Sequence, residues 1–184
     1  MKIFHVSAEC YPAAKVGGLA DVVGSLPKYL NRLGHDTSVV IPHYATPFFQ
    51  ENTFQKLHEG LLQLGGFEFT YEILKIQDLQ LGFECYTIAI PELFDRPKIY
   101  AYEDDTERFL GFQIAFLNWI TATKQQPDAI HCHDHHTALI PFMAQNCKVY
   151  NSLKNTPTLL TIHSAQYQGA FGSEKIDYFP AFEE

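Results

Sequence analysis

An open α/β fold, a Rossmann-like doubly wound and mostly parallel sheet with a β-rich excursion, is predicted by three observations in this 184-residue sequence. A short apolar strand leads through a Gly-Gly turn into an amphipathic helix. Strand and helix patterns then alternate along the chain, and polar clusters recur just beyond the strand ends. Sheets of this kind receive ligands outside the carboxyl ends of their strands.

The elements follow in order. Ile3 to Ser7 has the apolar run of a buried strand, and Leu19, Val22, Val23, Leu26, Leu30 and Leu33 recur at helical spacing until Gly34 stops the helix. Pro27 lies inside that pattern and removes a helical hydrogen bond, so the spacing predicts a kink near Val23 or Gly24. Thr37 to Ile41 is the second strand, ended by Pro42, and the β-α-β unit implies a right-handed crossover and parallel pairing. From Phe54 to Ile90 the pattern turns β-rich, with segments at Phe67–Ile73 and Gly82–Ile88 separated by the polar Gln77-Asp78. Thr106 to Ala122 returns to helix; Ala129 to Cys132 reads as a strand, Thr137 to Cys147 as a helix and Thr158 to Ile162 as a strand.

Composition narrows the function classes. With 46% hydrophobic and 18% charged residues the chain supports one well-buried core and is neither disordered nor fibrous. A formal net charge of -8 argues against nucleic acid or an anionic membrane as partner, because no cluster of Lys and Arg exists to neutralise phosphates in bulk. No stretch reaches the ~20 apolar residues of a membrane span. The strand-like start at Met1 has no leader-peptide pattern, so a cytoplasmic location is expected. Cys10, Cys85, Cys132 and Cys147 show no C-x-x-C spacing and are expected as reduced, mostly buried thiols.

The chemistry-bearing residues gather after the strands. In Lys15-Val16-Gly17-Gly18-Leu19-Ala20-Asp21-Val22 the paired glycines let backbone N–H groups approach a ligand, the helix start favours an anion, and Lys15 adds a charge. A plain strand-to-helix corner has the same residues. Glu9 follows the first strand, and His131-Cys132-His133-Asp134-His135-His136 follows a later one. That loop reads either as a metal site or as the polar rim of an active site; His131 and His133 share a strand face, and four ligands in one short loop rarely close a tetrahedron. Asp134 can accept hydrogen bonds from sugar hydroxyls, cap the helix expected from Thr137, or both. His163 ends an apolar strand as a satisfied core histidine or a working one, and Tyr167-Gln168-Gly169 shapes a sugar pocket or a turn. Phe94 and Tyr100, flanking Asp95-Arg96-Pro97, are the aromatics expected to be exposed for contact.

Together these residues resemble one family. Ser7 to Pro12 with Lys15 to Val22, Leu93 to Pro97, Asp104 to Phe109, His131 to Leu139, and Thr161-Ile162-His163 with Tyr167-Gln168-Gly169 are similar to the motifs of bacterial glycogen synthases and plant starch synthases, in the same order. The resemblance implies that residues 1–184 are the N-terminal, acceptor-side lobe of a retaining, metal-independent GT-B glycosyltransferase without a cofactor. Its partners would be ADP-glucose or UDP-glucose and the non-reducing end of an α-1,4-glucan, in glycogen synthesis. By the same resemblance, His163 would sit against the transferred glucosyl group, Lys15 and the Gly17 and Gly18 amides would stabilise the leaving diphosphate, and Asp21 would brace the helix start. Glu9, Asp134 and His136 would line the acceptor side, with Tyr167 in the loop that shapes the sugar pocket. The chain departs from the family pattern at His135, where Trp is usual, at Ser164, where Asn is usual, and at Asp105, where Asn is usual. The nucleotide-binding C-terminal lobe is not in this sequence, so the chain alone is expected to be inactive. A non-catalytic carbohydrate-binding or regulatory module of the same fold is the alternative.

Overall fold

The computed structural model describes residues 1–182; positions 183 and 184 of the expected lobe lie outside the described residues. The chain begins with β1 (Lys2–Val6), whose last three residues are buried, and after the loop carrying Glu9 and Lys15 enters α1 (Gly18–Val23). The expected kink is a full break: α1 ends at Val23 and α2 (Leu26–Arg32) starts afresh, with Pro27 in its first turn where the missing N–H costs nothing. β2 (Asp36–Pro42) follows, then the short α3 (Pro47–Glu51).

The β-rich excursion is β3 (Phe54–Leu64) and β4 (Phe67–Ile76), joined by Gly65-Gly66 with φ of 58° and 83°. Positive φ at both turn residues matches the twist of a two-residue hairpin, which is why glycine stands there. β5 (Glu84–Ala89) leads through the 90–104 loop into α4 (Asp105–Ala122), the long central helix. β6 (Ala129–His133), α5 (Ile140–Asn146) and β7 (Thr158–Thr161) complete the set. The helix expected over 137–147 is instead a 3-10 turn at His135–Thr137 followed by α5, with Pro141 in its first turn. Among the described residues no helix is long and apolar enough to cross a membrane.

The strands form one sheet in the order β3-β4-β5-β2-β1-β6-β7. β5, β2, β1, β6 and β7 are mutually parallel, while the hairpin pairs antiparallel with β5 and extends the sheet on that side. From β1 the chain moves outward through β2 to β5, then α4 carries it back to the opposite side of β1 as β6. The order therefore reverses between β1 and β6, and the loops leaving that pair diverge to open a crevice.

The core is aliphatic and aromatic, with Val6, Val40, Ile41 and Ile130 from the strands and Phe112, Phe116, Leu117 and Ile120 from α4. Phe94 belongs to it: the ring is buried against Tyr44, Phe109 and Phe112, which corrects its expected exposure. The loop sequence around it signals a turn, yet a phenylalanine in a loop still gains from burial and folds inward. All four cysteines are free and buried.

Candidate active site

The crevice, about 810 Å³ in volume, lies where the loops after β1, β6 and β7 meet. Seven of the nine site residues expected from the sequence fall on it. Glu9, Gly17, Gly18, Asp134, His136, His163 and Tyr167 line it, as do the three departures from the family pattern, Asp105, His135 and Ser164. Lys15 stands on the same loop, but its ammonium pairs with the Asp21 carboxylate at 2.6 and 2.8 Å, and neither lines the crevice in this conformation.

Glu9 lines the crevice and is also tied into the glycine loop. It is buried, with one carboxylate oxygen accepting from the Val16 and Gly17 amides at 2.7 and 3.0 Å and the other accepting from the Tyr100 hydroxyl at 2.8 Å. The glycine loop thus already holds an anion, as a turn with convergent N–H groups does. Of the two glycine amides expected to meet the diphosphate, that of Gly17 is engaged by Glu9. Asp21 makes no capping bond at the helix start; its role is the ion pair with Lys15. A Cβ built at Gly17 or Gly18 would meet no atom within 4 Å beyond its neighbours along the chain and helix, so packing against the rest of the fold leaves room for a Cβ at either position.

Asp134 follows β6 with φ of 58° and ψ of -177°, a conformation that non-glycine residues rarely adopt. Its carboxylate accepts from the His163 and Ser164 amides at 2.6 and 3.2 Å, and its own N–H donates to the Thr161 carbonyl at 2.9 Å. Asp134 therefore ties the end of β6 to the end of β7. The capping role is absent: the carboxylate makes no bond to the following turn, and its Oδ1 is turned to the two amides beyond β7.

His136 is buried beneath the crevice floor, stacked on Tyr100 at 4.8 Å and edge-on to Phe109 at 4.6 Å. Burial lowers its pKa to about 3, so it is neutral at physiological pH, and its Nδ1 has no partner. His135 lies face against it at 3.7 Å. Gly169, at φ of 60°, packs so close to His135 that a Cβ would come within 2.3 Å of the ring, which requires glycine there on both counts. Asp105 pairs with the buried Arg108 at 2.5 Å, and that guanidinium also donates to the Leu93 and Ile99 carbonyls. A carboxylate at position 105 thereby neutralises a buried charge and pins the loop that delivers Tyr100.

One site residue, His5, escapes sequence reading, and His133, read there as part of a metal site or an active-site rim, has a different partner. His5 and His133 form a hydrogen-bonded chain with His163: His133 Nδ1 lies 3.0 Å from His163 Nε2, and His133 Nε2 lies 3.2 Å from His5 Nδ1. Burial lowers the pKa of His133 to about 2 and that of His5 to about 3, with the neighbouring imidazoles adding to the effect. A histidine in an apolar strand was the only available signal for His5. The metal reading of the 131–136 loop also changes: the nitrogens that converge, within 4.8 Å of one another, are those of His5, His131 and His133, while Cys132 is buried on the opposite strand face.

Comparison with known proteins gives one answer. The family model for the starch synthase catalytic domain matches residues 2–183. A glycogen synthase of Flavobacterium johnsoniae is 56% identical over 183 residues, covering 100% of this chain and 39% of that protein. One from Geobacillus stearothermophilus is 38% identical over 175 residues, covering 93% of this chain and 35% of that protein. Among solved structures, the catalytic domain of starch synthase IV from Arabidopsis thaliana bound to ADP and acarbose superposes with a TM-score of 0.86 at 28% identity, covering 95% of this chain and 36% of that one. The chain thus spans about two fifths of the length of the curated relatives it matches, or less. The strand order, the crevice at its reversal and the match along nearly every residue agree: this chain belongs to the starch synthase catalytic-domain family, with bacterial glycogen synthases among its relatives.

Proposed function

We propose that this chain is the N-terminal, acceptor-side lobe of a retaining GT-B glucosyltransferase that adds glucose from ADP-glucose or UDP-glucose to the non-reducing end of an α-1,4-glucan. A second lobe supplies most of the nucleotide site. The observation that carries the reading is the convergence of Gly18, Asp134 and His163 from three separate loops on one crevice. The ADP and acarbose in the similar Arabidopsis structure support a nucleotide and an oligosaccharide as the ligand classes.

In this reading the Gly18 amide and Lys15 meet the departing diphosphate, with Lys15 swinging from Asp21 by rotation of an exposed side chain. Donors in place before charge develops stabilise a leaving phosphate without a metal ion. His163 stands against the glucosyl unit, Asp134 holds the His163 backbone in position, and His136 and Tyr167 bound the acceptor side. Glu9 acts from beneath by shaping the glycine loop rather than by touching glucan. The four buried, unpaired thiols support a reducing, cytoplasmic setting.

The test is glucose incorporation into glycogen by the isolated chain and by the full-length polypeptide, with each donor. Incorporation by the full-length protein alone is expected. A full-length protein that binds glucan but turns over neither donor would favour the non-catalytic binding module.

A further inference from the structure

We propose that His133 and His5 are positioning residues: a buried imidazole chain that fixes His163 with its ring proton on Nδ1, the nitrogen left to the crevice. The geometry carries the argument. His5 and His133 are fully buried, His163 lines the crevice, and the three rings are joined by bonds of 3.2 and 3.0 Å through His133. The rings of His133 and His163 are stacked nearly parallel, at 20°. His131, hydrogen-bonded to Thr161 at 2.7 Å, packs flat on His133 at 4.1 Å and holds it from the side.

A neutral imidazole has one N–H and one lone pair, so the chain can run in only two directions. If the protons pointed from His163 toward His5, then His5 Nε2 would carry an N–H, and that atom is buried with no partner. Run the other way, His5 Nδ1–H donates to His133 and His133 Nδ1–H donates to His163 Nε2. The end of the chain is then an unpaired lone pair, which buried sites tolerate better than an orphaned N–H. Neutral His163 must accordingly hold its proton on Nδ1 and present a donor, not an acceptor, to a hydroxyl in the crevice. A ligand's outer hydrogen bonds set the tautomer of an imidazole in the same way at metal centres.

The tautomer assignment stands on geometry alone; only its consequence for catalysis rests on the glucosyltransferase reading. The test is 15N NMR of the histidine-labelled chain at neutral pH, in which protonated and unprotonated ring nitrogens are told apart by shift and coupling. His163 is expected with Nδ1 protonated and Nε2 bare. His133→Phe should leave His163 as a mixture of tautomers, and His133→Asn, whose amide N–H replaces Nδ1–H, should restore the single form. If His133→Phe does not fold, His133→Gln takes its place, since its longer side chain moves the amide away from His163. In the full-length protein kcat/KM should fall roughly 10–100-fold in His133→Phe, the usual scale for a group that orients another, and recover in part in His133→Asn. A proton on Nε2 in the wild type, an unchanged tautomer without the His133 donor, or stoichiometric zinc on His5, His131 and His133 in untagged protein would overturn the assignment. An inactive wild-type enzyme would sink the glucosyltransferase reading and leave the tautomer result standing.

Discussion

Asp134 shows most directly how single residues set this site. Its positive φ is held against steric cost by the bonds its carboxylate accepts from His163 and Ser164. Asp134→Ala keeps the cost and loses the bonds, and should lower unfolding stability by about 1–3 kcal/mol. Asp134→Gly loses the same bonds but relieves the backbone, so it should be about 1 kcal/mol more stable than the alanine variant. Urea denaturation of both variants checks the order, and an alanine variant as stable as the glycine one would remove the strain. Lys15 is the opposite case, half-exposed, with its ammonium paired to Asp21 and 5.6 Å from the centre of the Tyr11 ring. Lys15→Ala should change stability by less than about 0.5 kcal/mol, since exposed ion pairs contribute little. It should lower kcat/KM of the full-length protein by roughly 10–1000-fold, as loss of a transition-state contact does. Unchanged kinetics would make Lys15 ordinary surface.

At the scale of elements, α4 and the loop before it depend on one buried cation. Arg108 bonds Leu93, Ile99 and Asp105 and stacks 4.9 Å from the Phe94 ring and 4.6 Å from that of Tyr102. Arg108→Met removes three donors from buried or half-buried acceptors and should cost about 3 kcal/mol or more. Thermal or urea unfolding reads that loss, and a cost below 1 kcal/mol would show that the loop holds without it. The strand ends give a pH dependence. His5, His133 and His136 have folded pKa values lowered from 6.5 to about 3, 2 and 3. Above the unfolded value both states are neutral and no penalty applies. As pH falls below about 6.5 the unfolded chain takes up protons that the folded chain refuses, so stability drops with a limiting slope of about 1.4 kcal/mol per pH unit per histidine. Urea midpoints at pH 7 and pH 5 should differ by the equivalent of a few kcal/mol, and equal midpoints would contradict buried neutral imidazoles. These elements were unevenly legible. Apolar periodicity and Pro27 gave the strands and the break in the first helix, because both are local. In the loop after β6 the cap is the one of the open roles of Asp134 that is not formed, and the partners its carboxylate does take lie 29 and 30 residues away, beyond β7, where no local pattern reaches. Phe94 was misplaced for the same reason: loop chemistry predicts the turn but not which ring the core takes back.

Across the whole molecule, the five parallel strands and the reversal between β1 and β6 bring the 9–17 loop, residue 134 and residue 163 around one crevice from distant parts of the sequence. Their positions after strands were legible residue by residue. Their assembly into one site followed from the rule for open α/β sheets and from the family resemblance, and the 2–183 family match bears that resemblance out. What no linear pattern gave was depth: His5 and His133 lie under the site, and only the parallel register of β1 with β6 brings His5 level with the His131–His133 segment. The chain spans 39% of its Flavobacterium relative, and in the proposed function it is one side of a cleft that a second lobe closes. The most direct test is transfer of labelled glucose from ADP-glucose and UDP-glucose to glycogen by four proteins: the isolated chain, the full-length polypeptide, and its Lys15→Ala and His163→Ala variants. A two-lobed transferase of this kind gives transfer by the full-length protein, with retained α configuration, a fall of at least about 10-fold in each variant, and none by the isolated chain. Turnover by the isolated chain, or full activity in both variants, would contradict this reading.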